Sequence, residues 1–228
     1  MERHLSRLAM PKSWKIKRKG IKWVTRPHPG AHSLKLGLSL NVFLRDLLTL
    51  AKTTREVKSI LNKQEVFVDG KRRKDHKYIV GLMDVVTLPK INKSYRILLN
   101  EKGYIRAVAI KKDEAGIKPC KITGKTVVRK GKMQLNLFDG KCLLVDKNEL
   151  NVGDSVVIEI PSQKIKERLP FAKGSTIYLI GGKHVGNVGV VEEIMNRRIV
   201  YKRDQDRFET LKRYAFVIGK GKPVIELP

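Results

Sequence analysis

The sequence predicts an α+β, multi-domain chain: a basic N-terminal arm (1–36), a small two-helix and sheet module (37–105), a central β-rich domain (106–170) and a C-terminal SH3-like barrel (171–228). Three observations predict it. The first is charge: 49 Lys+Arg against 22 Asp+Glu give a formal net charge of +27 over 228 residues, and such a chain repels itself unless a polyanion is bound. The second is a helical repeat of apolar residues confined to the stretch from Leu40 to Leu61. The third is a run of short strands, separated by turn residues, from about residue 94 onward.

The arm carries Arg3, Arg7, Lys12, Lys15, Lys17, Arg18, Lys19, Lys22, Arg26 and Lys35, with Glu2 as its sole acid. A segment of this composition does not bury a core of its own and is expected to order on a phosphate surface. Trp14 and Trp23 sit among these cations. An indole in that setting either stacks on a base while the cations hold phosphates, or packs the arm onto a neighbouring domain. On this view the rest of the chain folds without residues 1–26.

The helical pair comes next. Leu40, Phe43, Leu44, Leu47, Leu48 and Ala51 define one helix face, with Arg45, Asp46 and Thr49 on the other side. Thr53 with Glu56 three residues on forms a capping box for a second helix, whose stripe is Val57, Ile60 and Leu61. Val66–Val68 and Asp69-Gly70 then indicate a strand and turn. The run Lys71-Arg72-Arg73-Lys74-Asp75-His76-Lys77 follows, beside Arg55 and Lys58, before strands at Tyr78–Val80 and Val85–Leu88. A cation run on a turn between strands can enter a nucleic-acid groove.

Strands are expected at Tyr95–Leu99, Tyr104–Ile110, Lys118–Arg129, Met133–Phe138, Lys141–Val145 and Ser155–Ile160. Pro161 and Pro170 bracket a polar stretch taken as a boundary. Five more strands, Thr176–Ile180, Val188–Ile194, Ile199–Lys202, Arg207–Leu211 and Ala215–Ile218, suit a small SH3-like barrel.

Several chemistries lack their residues. Pro119 stands where a phosphate-binding loop requires its first Gly. Gly182, Gly186 and Gly189 miss the dinucleotide spacing. His28 and His32 are four apart, but Pro29 and Gly30 intervene and no Cys is near, so no metal site is expected. No nucleophile is paired with a base in a known pattern. Cys120 and Cys142 are read as packed thiols of a reducing cytosol. No apolar run is long enough to span a membrane, and no secretory signal is expected from the cationic start of the sequence.

The stretches HLSRLAMPKSW (His4–Trp14), HPGAHSLKLGLSLNVFLRDLL (His28–Leu48), EVKSIL (Glu56–Leu61), VDGKRRKDHKYIVGLMDV (Val68–Val85) and FVIGKGKPVIELP (Phe216–Pro228) resemble the archaeal and eukaryotic small-subunit ribosomal protein family S4e. Leu179–Val191 resembles a KOW motif. The absence of a longer tail after Pro228 favours an archaeal-type member. The resemblance implies an alpha-L-type RNA-binding module near 42–105 and a KOW-bearing SH3-like barrel near 171–228. It implies a structural, non-catalytic constituent of the small (30S) subunit. Such a protein is cytoplasmic, is present in one copy, and contacts the small-subunit ribosomal RNA and neighbouring ribosomal proteins. It needs no cofactor, metal or small-molecule substrate and no membrane. The RNA-contacting residues expected are the nine arm cations from Arg3 to Arg26, Trp14, Trp23, His28 and His32. In the module they are Arg45, Arg55, Lys58, Lys71, Arg72, Arg73, Lys74 and Lys77, and in the barrel Lys183, His184 and Asn187. The competing classes are an RNA-modifying enzyme anchored by an alpha-L module, for which residues 95–170 look too short and lysine-rich, and a KOW-containing transcription or translation factor, which would lack the arm and the two-helix module.

Overall fold

A computed structural model describes residues 4–63, 65–128, 131–146, 149–203 and 205–227. Their contacts separate two compact units, residues 1–99 with 104–116, and residues 100–103 with 117–228. The chain is mostly strand, with few and short helices.

In the first unit the basic arm is folded. Strand β1 (Leu5–Ser6) pairs antiparallel with β2 (Trp23–Val24). Met10, Trp14 and Val24 are buried, Trp14 being only 2% exposed. The Trp14 indole N–H donates to the Gly37 carbonyl at 3.0 Å. Ser13 is tied from both sides: its hydroxyl donates to Lys35 O at 2.6 Å, and its carbonyl accepts from Ile105 N–H at 2.8 Å. The expected free arm is thus corrected. Two ties invisible in its composition, Trp14 to Gly37 and Ser13 to Ile105, hold it against the module.

Strand β3 (Gly37–Ser39) leads into α1 (Leu40–Val42), which Ser39 Oγ caps by accepting from Val42 N–H at 3.3 Å. The chain then widens into a π turn at Phe43–Leu47, closed by Leu48 N–H to Phe43 O at 2.9 Å. Thr49 at φ 53° ends it. The continuous helix expected through Ala51 is therefore cut short. Leu40, Phe43 and Leu44 are fully buried, but the wide turn rotates Leu47 and Leu48 partly outward.

Helix α2 (Thr54–Lys63) opens as expected, with Thr53 Oγ1 accepting from Glu56 N–H at 3.2 Å. The Glu56 carboxylate returns to Lys52 N–H at 2.8 Å and to the Thr53 hydroxyl at 2.9 Å. These bonds hold the carboxyl below its ordinary range. Thr53→Ala is expected to lower the stability of the chain by about 1 kcal/mol, the usual cost of a lost N-cap, measured by urea unfolding.

Beyond α2 come β4 (Phe67–Val68), β5 (Lys71–Arg72), β6 (Ile79–Gly81), β7 (Val85–Leu88), β8 (Lys93–Leu99), β9 (Ile105–Ile110) and helix α3 (Lys112–Ala115). Five of these strands form an antiparallel sheet in the order β5-β4-β7-β8-β9, while β3 pairs with β6. A Cβ at Gly81 would lie 2.4 Å from the His32 ring, so glycine permits that close approach. Helix α3, absent from the sequence reading, brings Glu114 to Arg96, a fully buried cation whose Nη2 donates to Glu114 O at 3.0 Å.

The second unit contains β10 (Ile117–Val127), β11 (Met133–Leu137), β12 (Cys142–Val145), β13 (Ser155–Glu159) and β14 (Ile165–Leu169), in the sheet order β12-β11-β10-β13-β14. Strand β10 pairs with β13 through its first half and with β11 through its second, changing register between Ile122 and Gly124. Residues 129 and 130, where the strand was expected to end, lie outside the described residues. A further sheet runs β18-β17-β16-β15-β19-β20. Its strands are β15 (Ser175–Leu179), β16 (Val188–Ile194), β17 (Arg198–Arg203), β18 (Asp206–Leu211), β19 (Ala215–Lys220) and β20 (Lys222–Pro223).

One core joins Val157 and Leu169 to Ile177, Leu179, Val191, Ile199, Tyr201 and Val217. The boundary expected at residue 170 therefore runs through shared packing. Within the unit, buried Lys118 meets Asp139 at 2.9 Å, and Lys141 reaches the same carboxylate oxygen at 3.2 Å. Buried Lys121 donates to the carbonyls of Arg213 (2.9 Å) and Ala215 (2.6 Å). Burial, with Lys212 nearby, pulls its pKa down to about 8. Its charged form therefore opposes folding below about pH 8, and that cost is relieved as the pH rises toward 10.5.

Candidate nucleic-acid interface

Most of the expected contact cations of the first unit fall into two groups. One lies on the loop between β1 and β2. Here Lys12, Trp14, Lys15, Ile16, Lys17, Arg18 and Tyr104 line an open cleft of about 640 Å³. Two arginines give the loop its shape: Arg7 Nη1 donates to Lys17 O at 2.7 Å, and Arg18 Nη1 to Leu8 O at 3.0 Å. Lys19 and Lys22 are exposed nearby in sequence. Lys22 Nζ lies 4.9 Å from the centre of the Trp23 ring, which also meets His4 at 5.5 Å. Trp23 remains 49% exposed and so has a face to offer.

The other group surrounds Asp75. His28 Nε2 lies 3.7 Å from one of its oxygens, and His76 Nδ1 lies 3.6 Å from the other. Desolvation, then Lys58, lower the His76 pKa, against the attraction of Asp75. Lys71 and Lys74 are exposed, Lys71 on the edge strand β5 and Lys74 just after it. Arg72 turns to Asn62 O at 3.4 Å and Glu65 at 3.9 Å, while Arg73 lies 4.3 Å over the Tyr78 ring. The cation run is thus partly engaged by its own fold. Arg55 and Lys58 are exposed on α2; Arg26 and Lys77 are half-buried.

Three expected contact residues are interior. Arg7 is 7% exposed and reaches Asp46 at 3.5 Å, where Arg45 also pairs at 2.8 Å. His32 Nε2 meets Asp84 at 2.9 Å, both side chains being buried. Trp14 is enclosed as described, which resolves its two possible roles in favour of packing. Groups so buried and bonded reach a polyanion only if the unit opens. Arg3 lies outside the described residues.

In the second unit Lys183 is exposed, and His184 packs on Phe208 with ring centres 4.7 Å apart. A Cβ at Gly186 would stand 2.4 Å from the Asn100 backbone. Gly186, at φ +82°, thus serves a close approach inside the chain itself. The buried Asn187 Oδ1 accepts no hydrogen bond.

Tyr104 and His76 were not singled out from the sequence. Tyr104 had a signal in its place at the start of the strand expected at Tyr104–Ile110, whereas the partial burial of His76 had none. Among the described residues no group of three or more His, Cys, Asp or Glu side chains is placed to hold a metal ion, and no helix is long and apolar enough to cross a membrane.

The chain matches the RS4NT (NUC023) domain over residues 1–35, the S4 domain over 39–86 and the Ribosomal family S4e over 91–165. It is 42% identical over 229 residues to the small ribosomal subunit protein eS4 of Methanocella arvoryzae, covering 98% of this chain and 97% of that one. The eS4 protein of Archaeoglobus fulgidus is also 42% identical, with 100% and 99% coverage. The crystal structure of the 30S ribosomal protein S4e from Thermoplasma acidophilum superposes with a TM-score of 0.72 at 30% identity, over 81% of this chain and 96% of that chain. With these domains matched and the relatives aligned over nearly the whole length of the chain, the chain belongs to the ribosomal S4e family.

Proposed function

We propose that this protein is a structural constituent of the small ribosomal subunit that binds small-subunit ribosomal RNA and supports subunit assembly and translation. The observation that carries this reading is end-to-end similarity to archaeal proteins named eS4. The exposed cations agree with it. They neutralise phosphates, release counterions and fix the fold's register on a structured RNA. In this reading residues 37–105 act as an alpha-L-type module and 171–228 as a KOW-bearing SH3-like barrel. The protein works in one copy per subunit, in the cytoplasm, against the RNA and neighbouring ribosomal proteins, without cofactor or catalysis.

The test is binding of the full chain to small-subunit ribosomal RNA across a salt series, together with co-sedimentation with small subunits after a moderate salt wash. Failure of the wild type to sediment with them overturns the proposal. Lys71 and Lys74 carry the clearest phosphate contacts, because Arg72 and Arg73 have partners within the fold. Lys71→Gln with Lys74→Gln is expected to lower the slope of log affinity against log salt by roughly 1.4 to 1.8, without a change in melting. An unchanged slope would make these lysines a solvated face only.

A further inference from the structure

We infer that the cleft lined by Lys12, Lys15, Lys17 and Tyr104 is a site for one unpaired nucleotide of a single-stranded RNA segment, its backbone phosphates on the lysines and its base on the Tyr104 ring. This deepens the reading of the chain as an RNA-binding protein and rests on it. The lining holds four cations and no carboxylate, and none of the three lysines has an ion pair among the described residues. The attraction for an anion is therefore not offset from within. The site is also built before a ligand arrives. Arg7 and Arg18 clamp the loop through backbone carbonyls, and Ile105 N–H to Ser13 O at 2.8 Å sets Tyr104 beside it.

Ligand class follows from shape and chemistry. An aromatic ring beside cations takes a flat base joined to phosphate. Bases stacked inside a duplex cannot reach such a ring. Lysines spread over residues 12–17 suit more than one phosphate, as a nucleic-acid strand supplies and a lipid headgroup bearing one does not. The cleft is open, so a strand can pass through it.

The experiment measures binding of the full chain to a labelled oligouridylate and to an abasic oligomer of equal length, alongside small-subunit ribosomal RNA. Tyr104→Leu is expected to weaken oligouridylate binding roughly 5- to 150-fold, the range for one base stacked on a ring, with the salt slope unchanged and abasic binding unaffected. Tyr104→Phe keeps the ring and is expected to bind as the wild type does. Lys12→Gln, Lys15→Gln and Lys17→Gln together are expected to lower the slope by about 2. The site is overturned if the wild type holds the abasic oligomer as tightly as oligouridylate, if anionic phospholipid vesicles displace the RNA from it selectively, or if the Tyr104→Leu and triple-lysine variants both bind as the wild type does. Loss of ribosomal RNA binding by the wild type would instead sink the function itself, so the two failures are distinguishable.

Discussion

Trp14→Ala is expected to destabilise the chain by about 3–5 kcal/mol, the range for deleting a buried aromatic ring. The ring is 2% exposed and its N–H is bonded to Gly37 O, so truncation leaves both a cavity and an unpaired carbonyl. Trp14→Phe keeps most of the apolar contact and should lose about 1 kcal/mol, the net value of one hydrogen bond. Trp23→Ala, at a ring 49% exposed, should melt like the wild type. Guanidinium unfolding followed by circular dichroism checks all three. Removing residues 1–26 deletes the same anchor and also Thr25, whose hydroxyl accepts from Asn41 Nδ2 at 2.6 Å. The truncated chain is expected to lose the module's fold as well as its RNA affinity. Melting of Trp14→Ala at the wild-type midpoint would show that the arm is dispensable.

Asp139→Ala is the second large effect. It leaves Lys118, 1% exposed, without the carboxylate at 2.9 Å. Breaking a buried ion pair from one side costs about 3–5 kcal/mol. The effect also has a pH signature. Burial raises the Asp139 pKa, but Lys118 and Lys141 outweigh it and hold the carboxyl below the ordinary 3.8. A depressed folded pKa means the stabilisation is complete above that ordinary value and is lost as the pH falls through the folded one. The stability gap between wild type and variant should therefore be widest near neutrality and close in acid. A gap that stays constant down to acid pH would mean the pair contributes nothing that titrates.

Features set by near neighbours were legible in the sequence. The Thr53–Glu56 cap, the alternation in β11 and β16 and the turn at Asp69-Gly70 depend on residues within a few positions of one another, and strand ends fell close to expectation. Strand β14 was missed because Lys166, Glu167 and Arg168 face outward and only Leu169 is fully buried, so the segment looked like a polar linker. The π turn at Phe43–Leu47 leaves the sequence pattern helical while changing which leucines point inward. At the candidate interface the exposed lysines were legible from charge alone. The fates of Arg7, His32 and Trp14 were not, because their partners Asp46, Asp84 and Gly37 lie 39, 52 and 23 residues away. Composition cannot tell a cation that meets solvent from one that meets a distant carboxylate.

The core that joins Val157 and Leu169 to Ile177, Leu179 and Val217 has a consequence for how the C-terminal half behaves as matter. A segment can be lent between proteins as a cassette only if its apolar face closes on itself. Here β15 and β19 complete their burial with side chains from β13 and β14, so the last strands are half of a cooperative unit. Opening one sheet removes the protection of the other, and the backbone amides of both should exchange with solvent in a single step rather than in two. The same coupling makes a chain cut at Pro170 a pair of sticky halves, each carrying an uncovered apolar face.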